Sequence, residues 1–410
     1  MFFSPDASVL AYDLPEPEPG IGRDVYLLSV DGAREVTVAQ HPANDMVVGW
    51  SPDGTMFLFA SDRAGSTGLW SVPVANGQPS GVPTLIKSGL GMLESSLGVT
   101  RRGTLAYGVR TSAARVAVVS VDLATGKRLS EPTYPLDNYL SRVNQPDWSA
   151  DGKLLVAVEE RSRARLGLTI RTADGKRVRE LLSDMAYVQR PRWAPDGTLT
   201  VQGVDMKGHQ GIFRVDSQTG QIAPLVLSEP GASVGQASWT PDGKSLVFRR
   251  NGDAVKFVVR DVQSGSERLL LEQRGLAALS LSPDGRSIAY LLSDRASKTV
   301  TVNRMPIEGG APQVIARLSG GTRNISTWSP DGRTIVFATA DDNDKAWLWS
   351  VAATGGTPQK LGLEDFRNVA MNVRIHPDGK HLAYETGGNA FEIWTLENFL
   401  PSRVPTSSRR

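Results

Sequence analysis

The sequence contains no cysteine, which excludes disulfide bonds and thiolate metal ligands. Histidine is scarce, with four residues in 410. Basic and acidic residues nearly balance, at 45 and 43, so charge gives no reason to expect nucleic acid as a partner. No apolar run approaches the roughly 18 residues that span a bilayer, and we therefore expect no membrane insertion.

The first residues, MFFSPDASVLAYD, lack the charged and apolar segments of a signal peptide. They also start directly on a repeated unit, and we expect this of a chain cut from a longer protein. The absence of cysteine fits a cytosolic protein and equally an exported one, so these features leave the cell compartment undetermined.

One short pattern, Trp-Ser-Pro-Asp-Gly with variations, recurs nine times at intervals of 42 to 49 residues. The copies begin at Phe3, Trp50, Val99, Trp148, Trp193, Trp239, Leu281, Trp328 and Ile375. Proline presets one backbone angle, aspartate bonds to its own backbone, and glycine accepts a positive φ, so each copy predicts a tight turn between strands. The third copy, Thr100 to Gly103, has lost the proline and the aspartate.

Each turn is followed by a short apolar strand, an alternating strand and a last strand after a glycine-bearing turn. The first unit shows them at residues 9–12, 24–30 and 34–38. No segment has a sustained helical period, so helix should be almost absent. A four-stranded unit is too thin to bury its own faces, whereas units packed radially bury both. We predict an all-β fold, a single β-propeller of eight to nine four-stranded blades over residues 1–400, with a frayed tail at 401–410.

The motif tryptophan ends the innermost strand of its unit, and we expect it to wedge between neighbouring blades. The repeats resemble the TolB-type, WD-repeat-like propellers, and similar units occur in dipeptidyl-peptidase-type enzymes. The ending from Ala390 to Pro401 is similar to bacterial TolB-like propellers, including those fused to kinase domains. The resemblance implies a bacterial protein in the periplasm or another extracytoplasmic compartment. Kinase motifs are missing from this chain.

Innermost propeller strands line a central channel, so the polar residues just before each motif position are candidate ligand contacts. The planar guanidinium group of arginine and the side-chain amides of asparagine and glutamine form directional hydrogen bonds. These groups suit a peptide carboxylate, an acidic protein tail or a sugar. The alternative is that they hydrate the channel and satisfy strand ends. The candidates are Arg142, Asn144, Gln189, Arg190, Gln236, Arg323, Asn324, Arg367 and Asn368.

Carboxylates at equivalent places offer an enzymatic alternative, with Asp45, Glu94 and Asp365 as candidate general acids and bases. We expect no metal and no cofactor, because the histidines occupy different structural positions and His376 replaces serine inside a turn. The string Gly231 to Gly235 matches a hydrolase nucleophile elbow, but no helix follows it.

Three functions follow from these observations. The first is a binding or scaffold module that captures a protein, a peptide or a small carbohydrate-like ligand at the channel mouth. The second is a channel-mouth hydrolase or lyase acting on a carbohydrate or an ester through carboxylates. The third is a sensor domain cut from a larger signalling protein. We expect a soluble monomer in each case.

Overall fold

The computed structural model describes residues 1–15, 23–39, 41, 43–112, 115–136, 142–162, 165–181, 185–294, 296–343, 345–363, 372–386 and 389–400. Within these residues the chain forms nine β-sheets and no helix. Accordingly, no described segment is a helix long and apolar enough to cross a membrane. The all-β propeller architecture predicted from the repeats is confirmed.

Three sheets at the N-terminal side, here called the three-sheet stack, pack face to face. The first holds β1 (Phe2–Phe3), β2 (Val9–Pro15), β3 (Arg23–Ser29) and β4 (Glu35–Ala39). The second holds β5 (Asp45–Trp50), β6 (Met56–Ser61), β7 (Gly68–Ala75), β8 (Gln78–Pro79) and β9 (Thr84–Lys87). The third begins with β10 (Met92–Val99) and β11 (Leu105–Ser112).

Five of the remaining sheets follow the chain in order, one per repeat, each with four antiparallel strands. They hold β14 (Arg142–Trp148), β15 (Leu154–Ser162), β16 (Arg165–Thr172) and β17 (Arg177–Leu181); then β18 (Met185–Trp193), β19 (Leu199–Asp205), β20 (Gln210–Val215) and β21 (Ile222–Leu227); then β22 (Ser233–Trp239), β23 (Ser245–Asn251), β24 (Val255–Asp261) and β25 (Glu267–Gln273); then β26 (Leu276–Leu281), β27 (Ser287–Asp294), β28 (Thr299–Pro306) and β29 (Gln313–Ser319); and then β30 (Gly321–Trp328), β31 (Thr334–Ala340), β32 (Ala346–Ala352) and β33 (Gln359–Lys360).

The third and ninth repeats exchange strands. The strands concerned are β12 (Arg115–Asp122), β13 (Lys127–Arg128), β34 (Val373–Ile375), β35 (His381–Thr386) and β36 (Asn389–Leu396). One sheet has the order β34-β35-β12-β13, and β36 completes the third sheet of the stack beside β11. Consecutive strands β11 and β12 therefore lie in different sheets, as do β35 and β36.

The exchanged sheet closes a ring. Buried apolar clusters join each pair of neighbours among the five sequential sheets. On one side of the exchanged sheet, Val119 and Leu382 pack with Leu348 of β32. On its other side, Ala383 packs with Leu155 of β15. These six sheets are here called the ring.

Eight to nine blades in one ring are not confirmed. The described residues form nine sheets, as many as there are repeats, but six belong to the ring and three to the stack. The physical reason is that β35 pairs with β12 over six residue positions, from Arg115↔Thr386 to Ser120↔His381, and this pairing closes the ring after six sheets.

The motif tryptophans lie between sheets, as predicted. Trp328 is 7% exposed and packs with Ala277 and Leu291 of the preceding sheet. Trp148 packs with Val116 of the exchanged sheet. The turn that follows each tryptophan is held locally. In one copy, the Ser329 hydroxyl donates to Asp331 at 2.6 Å and accepts the Thr334 amide at 2.9 Å.

Candidate functional site

The innermost strands of the ring carry a repeated β-bulge. Register shifts interrupt β14, β18, β22, β26 and β30 and leave residues two to five positions before the motif residue unpaired. Four residues at equivalent places adopt a left-handed backbone: Gln145, Arg190, Gln236 and Ala278 have φ of 55°, 52°, 51° and 55°. A bulge changes the direction of the side chain it carries. Arg190 and Gln236 line the central channel, and Gln145 bonds to the Arg190 amide.

Side chains near the bulges connect strands of different ring sheets. Glu385 accepts the backbone amide of Gln145 at 2.8 Å, and Gln145 in turn accepts the amide of Arg190. Gln236 donates from its side-chain amide to the Asn324 carbonyl at 3.2 Å, across the channel. These bonds satisfy backbone groups that the bulges leave unpaired, so part of the polar lining has a structural role.

Two cavities occupy the channel. The larger, about 490 Å³, is lined from all six ring sheets and reaches the motif turns at Pro195 and Pro241. The smaller, about 180 Å³, lies toward the opposite ends of the strands, at Arg249 and Asn251. The two cavities share three lining residues. The shared residues are Arg190, Gln236 and Asn324, which form the boundary between them.

Arginines concentrate at this boundary. Arg249 donates to the Asn324 side chain at 2.9 Å, and Arg192 donates to the Asn372 side chain at 2.9 Å. Burial lowers the pKa of Arg190, and the positive charges of Arg374 and Arg249 lower it further. The negative charge of Glu385 partly offsets this effect, and among the described residues Arg190 presents a charged donor to the channel with no ion-pair partner.

A buried ion pair lies beside these arginines. Arg374 Nε is 2.9 Å from Asp147 Oδ1, and Asp147 Oδ2 accepts the Trp193 amide at 2.9 Å. Burial raises the pKa of Asp147 against the opposing effect of Arg374. Because this carboxylate is already engaged by a side chain and a backbone amide, it orients Arg374 and is not a free acid in the channel.

The structure brings several predicted ligand contacts together and separates others. Arg190, Gln236 and Asn324 converge at the boundary, and Gln189 lines the smaller cavity. Asn144 is buried on β14, and Arg323 lies on β30 beside Asn324. Arg142 begins β14, with its side chain outside the described residues. Arg367, Asn368 and the candidate acid Asp365 fall at 364–371, which also lies outside the described residues.

Among the channel residues that sequence reasoning missed, four make the polar contacts described above. Gln145 and Arg192 belong to the innermost strands, and their position relative to the motif tryptophan was an available signal. Arg249 comes from β23, a second strand, where no sequence feature sets it apart. Arg374 follows the channel residue Asn372 within the short strand β34, and its partner Asp147 is over two hundred residues away.

The remaining candidate acids lie in the three-sheet stack. Asp45 is fully buried on β5, with Oδ2 2.6 Å from Arg63 Nη2. Burial raises its pKa to about 6. Glu94, on β10, pairs with Arg110 of β11. Neither carboxylate lines the ring channel.

Potential metal ligands meet outside the channel. Among the described residues, His376, Asp378 and His381 gather on the turn between β34 and β35, with ligand atoms within 4.8 Å of one another. Sequence reasoning assigned His376 to the turn and expected no metal site, and it did not connect His376 with His381.

The comparison with protein families decides the family. The model of the TolB beta propeller domain matches residues 101–326, which is more than half of the chain. The chain belongs to the TolB β-propeller family. The matched region covers ring sheets together with the third repeat, whose motif is degenerate.

Individual relatives of this TolB-type propeller are distant. YuxL of Bacillus subtilis strain 168, named as an uncharacterized peptidase, is 27% identical over 199 residues, covering 38% of this chain and 30% of that protein. The Tol-Pal system protein TolB of Francisella tularensis subsp. tularensis strain WY96-3418 is 24% identical over 181 residues, covering 42% and 41%. The matches thus span about a third and two fifths of these relatives.

A solved structure assigned as TolB from Agrobacterium tumefaciens has the same fold. It aligns with a TM-score of 0.55 at 20% identity, covering 67% of this chain and 99% of that one. A ring of six sheets accounts for about two thirds of the chain described here, so the size of the aligned part agrees with the ring.

Proposed function

We propose that the ring channel of this TolB-type propeller binds an extended peptide segment of another protein through a carboxylate group. One observation carries the proposal. The Arg190 guanidinium lies at the boundary of two cavities with no ion-pair partner among the described residues, and two further arginines lie near enough to lower its pKa. A bound carboxylate would relieve that repulsion.

The chemistry of the lining supports a peptide. Arginine offers a planar fork that matches a carboxylate with two parallel hydrogen bonds. The amides of Gln236 and Asn324 at the same boundary offer both donors and acceptors, which suits peptide groups. Because the cavities extend toward opposite ends of the ring strands, an extended chain can occupy one and place its acidic group at Arg190.

The alternative of a carboxylate enzyme has weaker support. Asp45 and Glu94 each pair with an arginine, and both lie in the three-sheet stack away from the channel. In the channel, Asp147 is held by Arg374 and by a backbone amide. None of these three carboxylates is therefore a free acid facing the ring channel, and binding remains our proposal.

Fluorescence anisotropy with a labelled peptide of four Gly-Glu repeats tests the proposal. We expect the Arg190→Gln variant to bind about 10-fold more weakly, because a hydrogen bond to a charged group contributes roughly 1.5–3 kcal/mol. Binding of the unmodified chain should also weaken as salt is raised.

The matched control is Arg317→Gln, which removes the same charge from the exposed face of outer strand β29. This variant should bind the Gly-Glu peptide as tightly as the unmodified chain does. A Gly-Gln peptide, which has no side-chain carboxylate, should bind neither the unmodified chain nor the Arg317→Gln variant. Equal binding by the Arg190→Gln and Arg317→Gln variants would show that the channel is not the site.

A further inference from the structure

The turn between β34 and β35 differs from its counterparts in chemistry but not in backbone. Elsewhere the second motif residue is a serine in five copies: Ser4, Ser51, Ser149, Ser282 and Ser329. Here it is His376. The backbone bonds are nonetheless the usual ones, with the His376 amide donating to the His381 carbonyl at 2.8 Å and the Gly379 amide donating to His376 at 2.9 Å. The turn therefore does not require a histidine.

Both histidines direct the same ring atom at one carboxylate. His376 Nδ1 is 3.1 Å from Asp378 Oδ1, and His381 Nδ1 is 2.6 Å from Asp378 Oδ2. Two of the four histidines in the chain thus converge on one aspartate within six residues. The side chains are 20%, 34% and 44% exposed in chain order, so solvent reaches the cluster.

A neighbouring sheet orients the first imidazole. His376 Nε2 lies 3.0 Å from the carbonyl oxygen of Gly152, on the turn between β14 and β15, and so carries the proton. Nδ1 accepts the Asp378 amide at 3.1 Å, so an ion that took this lone pair would replace that hydrogen bond. Trp148 packs edge-on against the same ring at 4.7 Å. A backbone carbonyl that holds the far nitrogen is the usual support of a metal-ligating histidine.

We propose that His376, Asp378 and His381 form a binding site for a first-row divalent transition-metal ion of the Zn²⁺ class. Two imidazole nitrogens and one carboxylate oxygen are a common zinc ligand set, and imidazole disfavours Mg²⁺ and Ca²⁺. Bonds of about 2.0–2.2 Å in tetrahedral geometry separate ligand atoms by about 3.3 Å, and the candidate ligand atoms lie within 4.8 Å of one another, so the side chains would close in slightly around an ion. Water would complete the coordination.

The position of the site gives it a structural consequence. His376 belongs to the exchanged sheet, whereas its carbonyl partner Gly152 belongs to the first sequential sheet of the ring. The cluster therefore lies at the interface between the exchanged sheet and the β14–β17 sheet, here called the seam. An ion that fixes the His376 ring also fixes its contact across the seam, so binding should raise the melting temperature of the ring.

Isothermal titration calorimetry on the full chain, first treated with a chelator, tests the site. We expect one ZnCl₂ to bind per chain and MgCl₂ not to bind. The His376→Ser variant restores the residue of the other copies, and His381→Thr matches Thr334 of the eighth copy, so both should fold. Each should bind Zn²⁺ at least about 10-fold more weakly, because even the loss of a supporting group costs 10–100-fold.

His209→Ser is the matched control, because His209 Nδ1 also lies 3.0 Å from an aspartate, Asp205, but without a second histidine. Its Zn²⁺ affinity should equal that of the unmodified chain. Circular dichroism establishes that each variant is folded, and the visible absorption of bound Co²⁺ gives a second readout of imidazole ligation. An absence of Zn²⁺ binding, or full affinity in both the His376→Ser and His381→Thr variants, would overturn the proposal.

Discussion

At the scale of single residues, backbone conformation and burial determine what the channel side chains can do. Arg190 and Gln236 have positive φ, and this bulge conformation brings their side chains to the boundary between the two cavities. A positive φ at a non-glycine residue costs on the order of 1 kcal/mol, so contacts in the surrounding sheet must hold the residue in this conformation. The same ring places Arg190 beside other arginines and, among the described residues, without an ion-pair partner.

Burial shifts the pKa of Asp45 in the opposite direction to that of Arg190. The dependence of stability on pH should reveal this shift. Burial raises the folded-state pKa of Asp45 to about 6, with Asp24 adding to the effect while Ser61 and Arg63 oppose it. In the unfolded chain the pKa of this group is near its ordinary value of 3.8. Between these values the folded state holds the extra proton, so the contribution of Asp45 to stability falls as pH rises from about 4 to about 6.

The Asp45→Asn variant should remove this titration. Between pH 4 and pH 6, we expect the melting temperature of this variant to fall less with rising pH than that of the unmodified chain, or to rise more. The difference in the free energy of unfolding is at most about 3 kcal/mol. Thermal unfolding followed by circular dichroism measures it. Asp253→Asn, on an exposed turn, should leave the profile as it is in the unmodified chain. Parallel profiles for the Asp45→Asn variant and the unmodified chain would contradict the assignment.

At the scale of strands and turns, much was predictable from the sequence. The apolar segment 9–12 lies within β2, and the segment 24–30 nearly coincides with β3. Turn chemistry is local, so serine, aspartate and glycine suffice to place each strand start. The partners of β12 and β35 were not predictable, because repeated strands have similar patterns and a second strand from one unit can pair with a third strand from another.

The exchange leaves β36 as an outer strand with unusual exposure. Phe391, Ile393 and Trp394 are 64%, 71% and 42% exposed, and the sheet ends at this strand among the described residues. An apolar edge strand promotes pairing with another chain, and a lysine placed there opposes it.

We predict that the Ile393→Lys variant reduces concentration-dependent light scattering. Its free energy of unfolding should change by less than about 0.5 kcal/mol, since the side chain is exposed. The matched control is Val314→Lys, because Val314 is a 52% exposed residue on outer strand β29. Scattering that falls equally in both variants would indicate a general effect of charge instead of association through β36.

At the scale of the whole molecule, the repeat number did not determine the ring. Nine copies of one unit suggested eight or nine blades, yet six sheets close and three stack beside them. The candidate site depends on this outcome, because Arg374 and Asn372 reach the channel from the exchanged sheet. Residues before the motif tryptophans were identifiable from the sequence, whereas their convergence depended on a pairing between strands over 260 residues apart.

Closure of the ring by β12 and β35 is the central claim, and paired cysteines test it cleanly because the chain has none of its own. Val118 faces Ala383 in the exchanged sheet, and its amide bonds to Thr133 on the other side. Such a pair has closely spaced Cβ atoms that suit a disulfide. If the third repeat instead paired β11 with β12 through a two-residue turn, Val118 would face Val109.

The decisive measurement is mass spectrometry of non-reduced peptides from two oxidised variants. The Val118→Cys/Ala383→Cys variant should form an intramolecular disulfide, and the Val109→Cys/Val118→Cys variant should keep both thiols free. The reverse result, with a disulfide between positions 109 and 118 and none between 118 and 383, would contradict the exchanged sheet and with it the six-sheet channel.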